Sequence, residues 1–105
     1  MRVVLCTCPP DAAEPLARGL VEKGAACVNV VPGVTSFYVW DGALQRDAEA
    51  LLVVKADEER LPAIESALGE LHPYSLPEWV VLAPDEDLSS AAYRDWVHGR
   101  RPPGG

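Results

Sequence analysis

The feature that most constrains the fold is a pair of β-prone runs on either side of Asp41-Gly42. An Asp-Gly pair between two such runs is a strong signal for a tight hairpin turn. The first run covers residues 26–40 and is interrupted at Pro32-Gly33, where we expect a bulge or bend. The return strand covers residues 44–55. The sequence therefore predicts a hairpin of roughly fifteen residues a side, far longer than the usual strand of about 5–6 residues.

The far half of this hairpin carries polar residues where a core-facing strand would be apolar. Gln45, Arg46, Asp47 and Glu49 follow one another closely in the return strand. We expect this half to project from the core of its own subunit. Pairing its exposed edge with another subunit would stabilise it and remove an aggregation hazard. Three aromatic residues are candidates for such an interface, although ordinary core packing explains each equally well: Tyr38, Trp40 and Trp79.

The other segments complete an alternation of strands and helices. Short apolar runs at residues 3–7 and 79–83 predict buried strands, and apolar spacing predicts helices near residues 16–21, 61–71 and 88–96. Asp11 with Glu14 resembles a capping box that opens the first helix, and Gly24 is a plausible stop. Ser89 or Ser90 is a candidate cap for the last one. The order β-α-β-β-α-β plus a helix predicts an α+β, ferredoxin-like sandwich.

Composition bounds the domain organisation and the class of ligand. The 105 residues suit one domain, which we expect at residues 1–98, with a disordered tail at residues 99–105. The formal net charge of -7 argues against nucleic acid as a partner. No apolar run approaches the ~20 residues that cross a bilayer, and the N-terminal run is too short for a signal peptide. We therefore expect a cytoplasmic protein that binds no membrane.

Three cysteines form an odd set that argues against a disulfide framework in a reducing compartment. They leave buried thiols, metal ligands or a redox role as alternatives. Cys6 and Cys8 are two apart, so on a strand they would point to the same side and could share a soft, thiolate-rich site. Cys27 lies within an apolar strand, where a small core side chain is the more common role.

Several specific motifs follow one another along the chain. Residues 25–36 read Ala-Ala-Cys-Val-Asn-Val-Val-Pro-Gly-Val-Thr-Ser. The later motifs are Tyr38-x-Trp40-Asp41-Gly42, Glu49-x-Leu51-Leu52-Val53-Val54-Lys55, His72-Pro73-Tyr74-x-x-Pro77-Glu78 and Tyr93-x-x-Trp96. In this order and at these spacings the motifs resemble the divalent-cation tolerance (CutA) family, and the resemblance covers residues 3–97. It implies a ferredoxin-like subunit with a long β2–β3 hairpin that assembles into a homotrimer.

The resemblance also implies a role in tolerance to divalent metal ions, with copper (Cu²⁺) the leading ion and other divalent cations as alternatives. Positions implicated in that family correspond to Cys6 and His72, with Cys27 and Glu78 as weaker candidates. Thiolate and imidazole together suit copper or zinc, and a carboxylate could complete a site. His72 could instead cap the last carbonyls of the preceding helix, and Glu78 could bond backbone amides near Tyr74.

Two other classes of function remain as alternatives. The resemblance to trimeric signalling proteins of similar architecture implies small-molecule sites in clefts between subunits. There Asn29, Tyr74 and Trp79 would surround a ligand and Lys55 would bind an anionic group. Catalysis is not expected, because phosphate loops, zinc-hydrolase motifs and dinucleotide fingerprints are absent from the sequence. Ten prolines, several of them in loops, also predict a heat-resistant protein.

Overall fold

A computed structural model describes residues 1–99 of the chain. The four strands are β1 (Arg2–Cys8), β2 (Cys27–Trp40), β3 (Ala43–Ala56) and β4 (Val80–Leu82). The helices are α1 (Ala13–Glu22), α2 (Leu61–Leu71) and α3 (Ala91–Gly99). All pairings are antiparallel, and the strands lie in the order β2-β3-β1-β4. This is the predicted α+β, ferredoxin-like arrangement, since the two helices between strands pack on one face of the sheet.

The core lies between α1, α2 and one face of the sheet, which we call the helix face. Alternate residues of β1 and β3 point into it, and their burial follows the period of two expected of a strand. Leu20, Ile64 and Leu68 supply the helical side of the core. Complete burial of each such side chain contributes roughly 1.5–3 kcal/mol to folding. The strand residues in this core are Val4, Cys6, Cys8, Ala50, Leu52, Val54 and Ala56.

The opposite side of the sheet, which we call the second face, carries the intervening residues, such as Thr7 and Leu51. Directly paired residues in an antiparallel ladder share a face. Cys27 pairs with Lys55, and Lys55 pairs with Val3, so all three lie on the second face. Cys6 pairs with Leu52, which is in the core. Pairing register thus assigns every sheet residue to one of two environments.

The hairpin has the predicted turn and the predicted bulge. Asp41 and Gly42 both adopt left-handed backbone conformations, with φ of 52° and 78°, as a two-residue type I′ turn requires. The register shifts between Val31 and Val34, so that residues 32 and 33 of β2 stand opposite the single residue Ala50. Gly33, with φ of 77°, supplies the left-handed position of this bulge.

Two local predictions are wrong. Asp11 and Glu14 do not form a capping box, because Pro10–Ala12 form a 3₁₀ turn and α1 begins at Ala13 without a side-chain cap. The two prolines at residues 9 and 10 fix the backbone there, and the Ala12 amide bonds the Pro9 carbonyl instead. The last strand, β4, is not buried: its three residues are 43–45% exposed. It is a three-residue edge strand that pairs with β1 alone.

The final helix is confirmed, and its cap is Ser90. The Ser90 hydroxyl accepts a hydrogen bond from the Tyr93 amide at 3.2 Å. The amino group of Met1 donates to Nε2 of His98 at 2.8 Å, which ties α3 to the start of β1. The predicted tail begins at Gly99, the last residue of α3, and residues 100–105 lie outside the described part of the chain.

Candidate metal and ligand sites

The two thiols at the end of β1 lie on the same side of the strand, as their spacing predicted. Cys6 and Cys8 both point into the core and are fully buried. Burial raises the pKa of Cys6 to about 12, and the negative charges of Cys8, Glu78 and Glu49 add to the rise. The pKa of Cys8 is raised too, first by burial and then by Glu49. Both sulfurs therefore carry protons at neutral pH, whereas a metal ligand is a thiolate.

His72 contacts the main chain of β1 between these two thiols, although it is far from them in sequence. Its Nε2 is 2.9 Å from the carbonyl oxygen of Thr7, the residue between Cys6 and Cys8. The Tyr74 amide donates to Nδ1 at 3.1 Å. Because an amide N–H can only donate, Nδ1 is the acceptor and the ring proton lies on Nε2, from which it is donated to Thr7. Both ring nitrogens are thus engaged in a neutral imidazole.

The side chain of His72 does not cap α2, which was the structural alternative for this residue. Only its main-chain amide serves the helix, by donating to the Leu68 carbonyl at 2.8 Å. The ring instead reaches across to β1, because the backbone turns extended at His72, with ψ of 135°. The preference of a residue before proline for this conformation explains the turn.

Cys27 and Glu78, the weaker candidate ligands, lie in different places. Cys27 is half-buried on the second face, where its sulfur is 3.9 Å from the side-chain oxygen of Asn29. It is therefore on the opposite face of the sheet from Cys6, and the two cannot share an ion within one subunit. Glu78 is exposed, but it is near enough to Cys6 to raise the pKa of that thiol.

A cavity of about 640 Å³ opens between the hairpin and residues 74–78, and we call it the arm cleft. Glu49 is only 6% exposed, and its Oε2 accepts a hydrogen bond from the Tyr74 hydroxyl at 2.9 Å. On the hairpin, the Tyr38 hydroxyl donates a hydrogen bond to Oδ2 of Asp47. Burial and the bond to Glu49 raise the pKa of Tyr74. The lining residues are Thr7, Ser36, Phe37, Tyr38, Trp40, Glu49, Tyr74, Ser75, Leu76, Pro77 and Glu78.

The four residues expected at a ligand cleft do not meet within one subunit. Tyr74 lines the arm cleft near Glu49, whereas Asn29 and Lys55 lie further along the sheet, paired with Val53 and Val3, and Trp79 packs against the core. A cleft between subunits that would contain all four stays a prediction. The sequence interpretation missed Glu49 as a site residue. The one signal for it was its place in the Glu49-x-Leu51 motif, directly before the buried half of β3.

The fit of these side chains to a metal ion is partial. No group of three or more His, Cys, Asp or Glu residues in residues 1–99 has an arrangement that could hold an ion within one subunit. Cys6 and Cys8 have the chemistry of a soft site, since thiols select copper and related ions. His72 fits such a site only if it releases the bond to Thr7 or to Tyr74. Through residue 99, no helix is both long and apolar enough to cross a membrane.

Known proteins resemble this chain over most of its length. The divalent-cation tolerance protein CutA of Thermus thermophilus is 43% identical over 97 residues, which cover 90% of this chain and 92% of that protein. Human Protein CutA is 37% identical over 93 residues, 87% of this chain and 51% of the human protein. This chain therefore spans about half the length of that animal relative.

Solved structures agree with the sequence matches. The divalent cation tolerance protein Cut A1 of Thermus thermophilus superposes with a TM-score of 0.87 at 42% identity, covering 93% of this chain and 96% of that one. The PII-like protein CutA of Nostoc sp. PCC 7120, in its apo form, gives a TM-score of 0.89 at 40% identity, with 94% and 95% coverage. The family model described as CutA1 divalent ion tolerance protein matches residues 2–100. The chain belongs to the CutA1 family of divalent ion tolerance proteins.

Proposed function

We propose that this chain acts in the response to divalent metal ions as a non-enzymatic homotrimer that binds metal ions, copper first among them. The family match supports the metal response. The observation that carries the binding proposal is the hydrogen bond from His72 to the Thr7 carbonyl. This bond brings an imidazole to the strand position between two buried thiols, and no other part of residues 1–99 combines these groups.

Cys6 and Cys8 would hold the ion, and His72 would become a third ligand only on rearrangement, because residues 1–99 contain no preformed group of three such ligands within one subunit. Copper, when bound, supplies a soft Lewis acid that competes with protons for the sulfurs. Each thiol must lose its proton, and the raised pKa of Cys6 increases the free energy that this loss costs at neutral pH. His72 must give up one of its two hydrogen bonds, and loss of the bond to Tyr74 would loosen residues 73–78.

Assembly is supported by apolar surface that a single subunit leaves exposed. Phe37, Val39 and Leu44 on the hairpin are 64–74% exposed, and β4 adds a further apolar edge. Exposed apolar patches of this kind mark protein interfaces more often than free surface. A homotrimer in which the hairpins contact neighbouring subunits would cover the hairpin and pair its exposed edge.

Native mass spectrometry of freshly reduced protein, with and without stoichiometric copper, tests both parts of the proposal. We expect a trimer that takes up about one ion per subunit. The double variant Cys6→Ala, His72→Ala should remain a trimer and lose the ion. The matched control is Cys27→Ala, which removes a thiol from the opposite face of the sheet and should keep full uptake.

A titration over pH counts the thiol protons that copper displaces, and the variants assign them to a site. Because displaced thiol protons oppose binding, the apparent copper affinity should rise about tenfold per pH unit for each proton released. Uptake that is lost in Cys27→Ala but kept in the double variant would transfer the site to the second face. A monomer at micromolar concentration would contradict the assembly.

A further inference from the structure

A second group of metal-ligand atoms lies at the start of β1, and we call it the amine cluster. The amino group of Met1 is 2.8 Å from Nε2 of His98 and 4.0 Å from Oε1 of Glu86. Imidazole and carboxylate are common zinc ligands, and an amine that has lost its proton offers a nitrogen lone pair of the same kind. Only two of these three donors are side chains, because the third belongs to the main chain.

The fold holds the members of the amine cluster in place. Met1 is only 8% exposed, and Val97, the neighbour of His98 on α3, is 1% exposed. Arg94 lies one helical turn before His98 and therefore on the same face of α3. Its Nη1 is 3.4 Å from Oε2 of Glu86, which leaves Oε1 directed towards the amine. Groups that orient a ligand in this way commonly surround metal ions in proteins.

The separation of the two nitrogens matches that of two ligands on one ion. Zinc–nitrogen bonds of about 2.0–2.1 Å place neighbouring ligand nitrogens roughly 2.9–3.4 Å apart. The observed 2.8 Å between Met1 and His98 is close to this range. Because a protonated amine can only donate, Nε2 is the acceptor, and its lone pair already points towards the position of an ion. Glu86 is half-exposed, so its carboxylate can close the longer gap without disturbing the core.

The charges around the amine cluster leave a place for a cation. The guanidinium of Arg2 is 3.0 Å from Oε2 of Glu58. Arg94 bonds Glu86 and lies 3.6 Å from Asp95. Two arginines thus face three carboxylates, and the ammonium group of Met1 balances the third. A divalent ion that displaces the ammonium proton would take over this balancing charge, since metal ligands bind in their deprotonated form.

From these observations we infer that the Met1 amine, His98 and Glu86 bind one divalent transition-metal ion per subunit, with zinc as the best match. Two nitrogens and one oxygen are too rich in nitrogen for calcium or magnesium, which prefer oxygen alone. The cluster is independent of the proposed function, because it uses neither thiol nor His72. Copper in the reduced protein would fill the softer thiols first, so zinc is the ion that tests this cluster.

The histidine ring signals in the NMR spectrum test the inference directly. The sequence contains two histidines, His72 and His98, so each ring can be followed separately. Zinc chloride is added to the reduced full-length protein with its Met1 amine free. We expect the His98 ring signals to change in a saturable manner and to reach their end point at one ion per subunit. Zinc that leaves the His98 signals unchanged would overturn the inference, whatever happens at His72.

A matched pair of variants and an extended chain locate the site. Glu86→Gln should weaken zinc binding, measured at His98, at least about tenfold. Asp95→Asn removes the same charge beside the same arginine and should retain affinity within about threefold. One glycine added before Met1 displaces the amine and keeps every side chain, and it should also weaken binding at least about tenfold. Equal losses in the two acid variants, or unchanged binding by the extended chain, would mean that these contacts only anchor α3, and the site would be excluded.

Discussion

The two ends of β3 belong to one continuous strand but lie in different environments. From Ala50 to Ala56, buried helix-face residues alternate with partly exposed ones, and β1 and β2 flank the strand on both sides. From Ala43 to Ala48, β3 pairs with β2 alone, and no residue of this stretch is buried. We call residues 34–48 the distal arm.

The comparison shows that hydrogen bonding and burial are separable along one hairpin. The ladder between β2 and β3 continues from Trp40 to Cys27 with one bulge, so backbone pairing is similar at both ends. Only the near end gains the free energy of a packed core, and isolated two-stranded hairpins are marginal in water. The distal arm therefore depends on contacts that a single subunit does not supply.

The largest expected effect of this difference is on the thermal stability of the assembled protein. If neighbouring subunits cover the distal arm, mass action adds to the stability of each subunit and the melting temperature falls on dilution. Together with restriction of the unfolded chain by ten prolines, this should place the midpoint above about 60 °C. Scanning calorimetry over a hundredfold range of concentration checks it. A lower midpoint that is insensitive to dilution would mean that the arm is stable alone.

A matched pair of leucines in β3 tests the comparison within one strand. Leu52→Ala removes a fully buried side chain and should lower the free energy of unfolding by about 2–5 kcal/mol. Leu44→Ala changes an exposed arm residue and should cost under about 0.5 kcal/mol at concentrations where the subunit is dissociated. Urea unfolding at several concentrations measures both. If Leu44→Ala lowered the free energy of unfolding of the dissociated subunit by about 2 kcal/mol or more, as expected of a buried leucine, the two ends of β3 would not differ in burial.

Cys6 in the core and Cys27 on the second face allow the two sides of the sheet to be compared through the pH dependence of stability. The folded-state pKa of Cys6, about 12, is raised above its ordinary value of 9.0, so folding favours the protonated thiol. The protonated Cys6 thiol makes its full contribution to the free energy of unfolding below pH 9. As pH rises towards 12 this contribution is lost, and the free energy of unfolding falls by up to roughly 4 kcal/mol. In Cys6→Val the free energy of unfolding, measured with urea at a series of pH values, should fall less steeply above pH 9. Cys27→Ala, on the second face, should leave the curve unchanged, and a similar flattening there would refute the assignment.

The smallest expected effect concerns the turn at the tip of the arm. Gly42→Ala should cost about 1 kcal/mol, because φ of 78° is left-handed and a Cβ is disfavoured there although no atom crowds it. Gly69 in α2 is the control: its environment is equally open and its backbone is helical, so Gly69→Ala should stabilise by about 0.4–1 kcal/mol. Thermal melts of the two variants should therefore shift in opposite directions, and shifts of the same sign would contradict the conformational explanation.

Much of the fold was predictable from the sequence because its signals are local. Asp41-Gly42 and Gly33 meet backbone requirements that few other residues satisfy, so the turn and bulge appear in the expected places. The capping box failed for an equally local reason, since adjacent prolines imposed a different turn. The exposure of β4 was not predictable from its apolar residues, because an edge strand in one subunit has the same composition as a buried strand.

The candidate sites were also predictable from the sequence only in part. The period of a strand alone placed Cys6 and Cys8 on one side, and the chemistry of thiols alone named the soft ions they could hold. Only the tertiary structure decided that His72 contacts Thr7 across 65 residues of sequence, that Cys27 faces away from both, and that Tyr74 covers Glu49. Backbone conformation is determined by neighbouring residues, whereas burial, proton affinity and the lining of a cavity depend on which distant segments the finished sheet brings together.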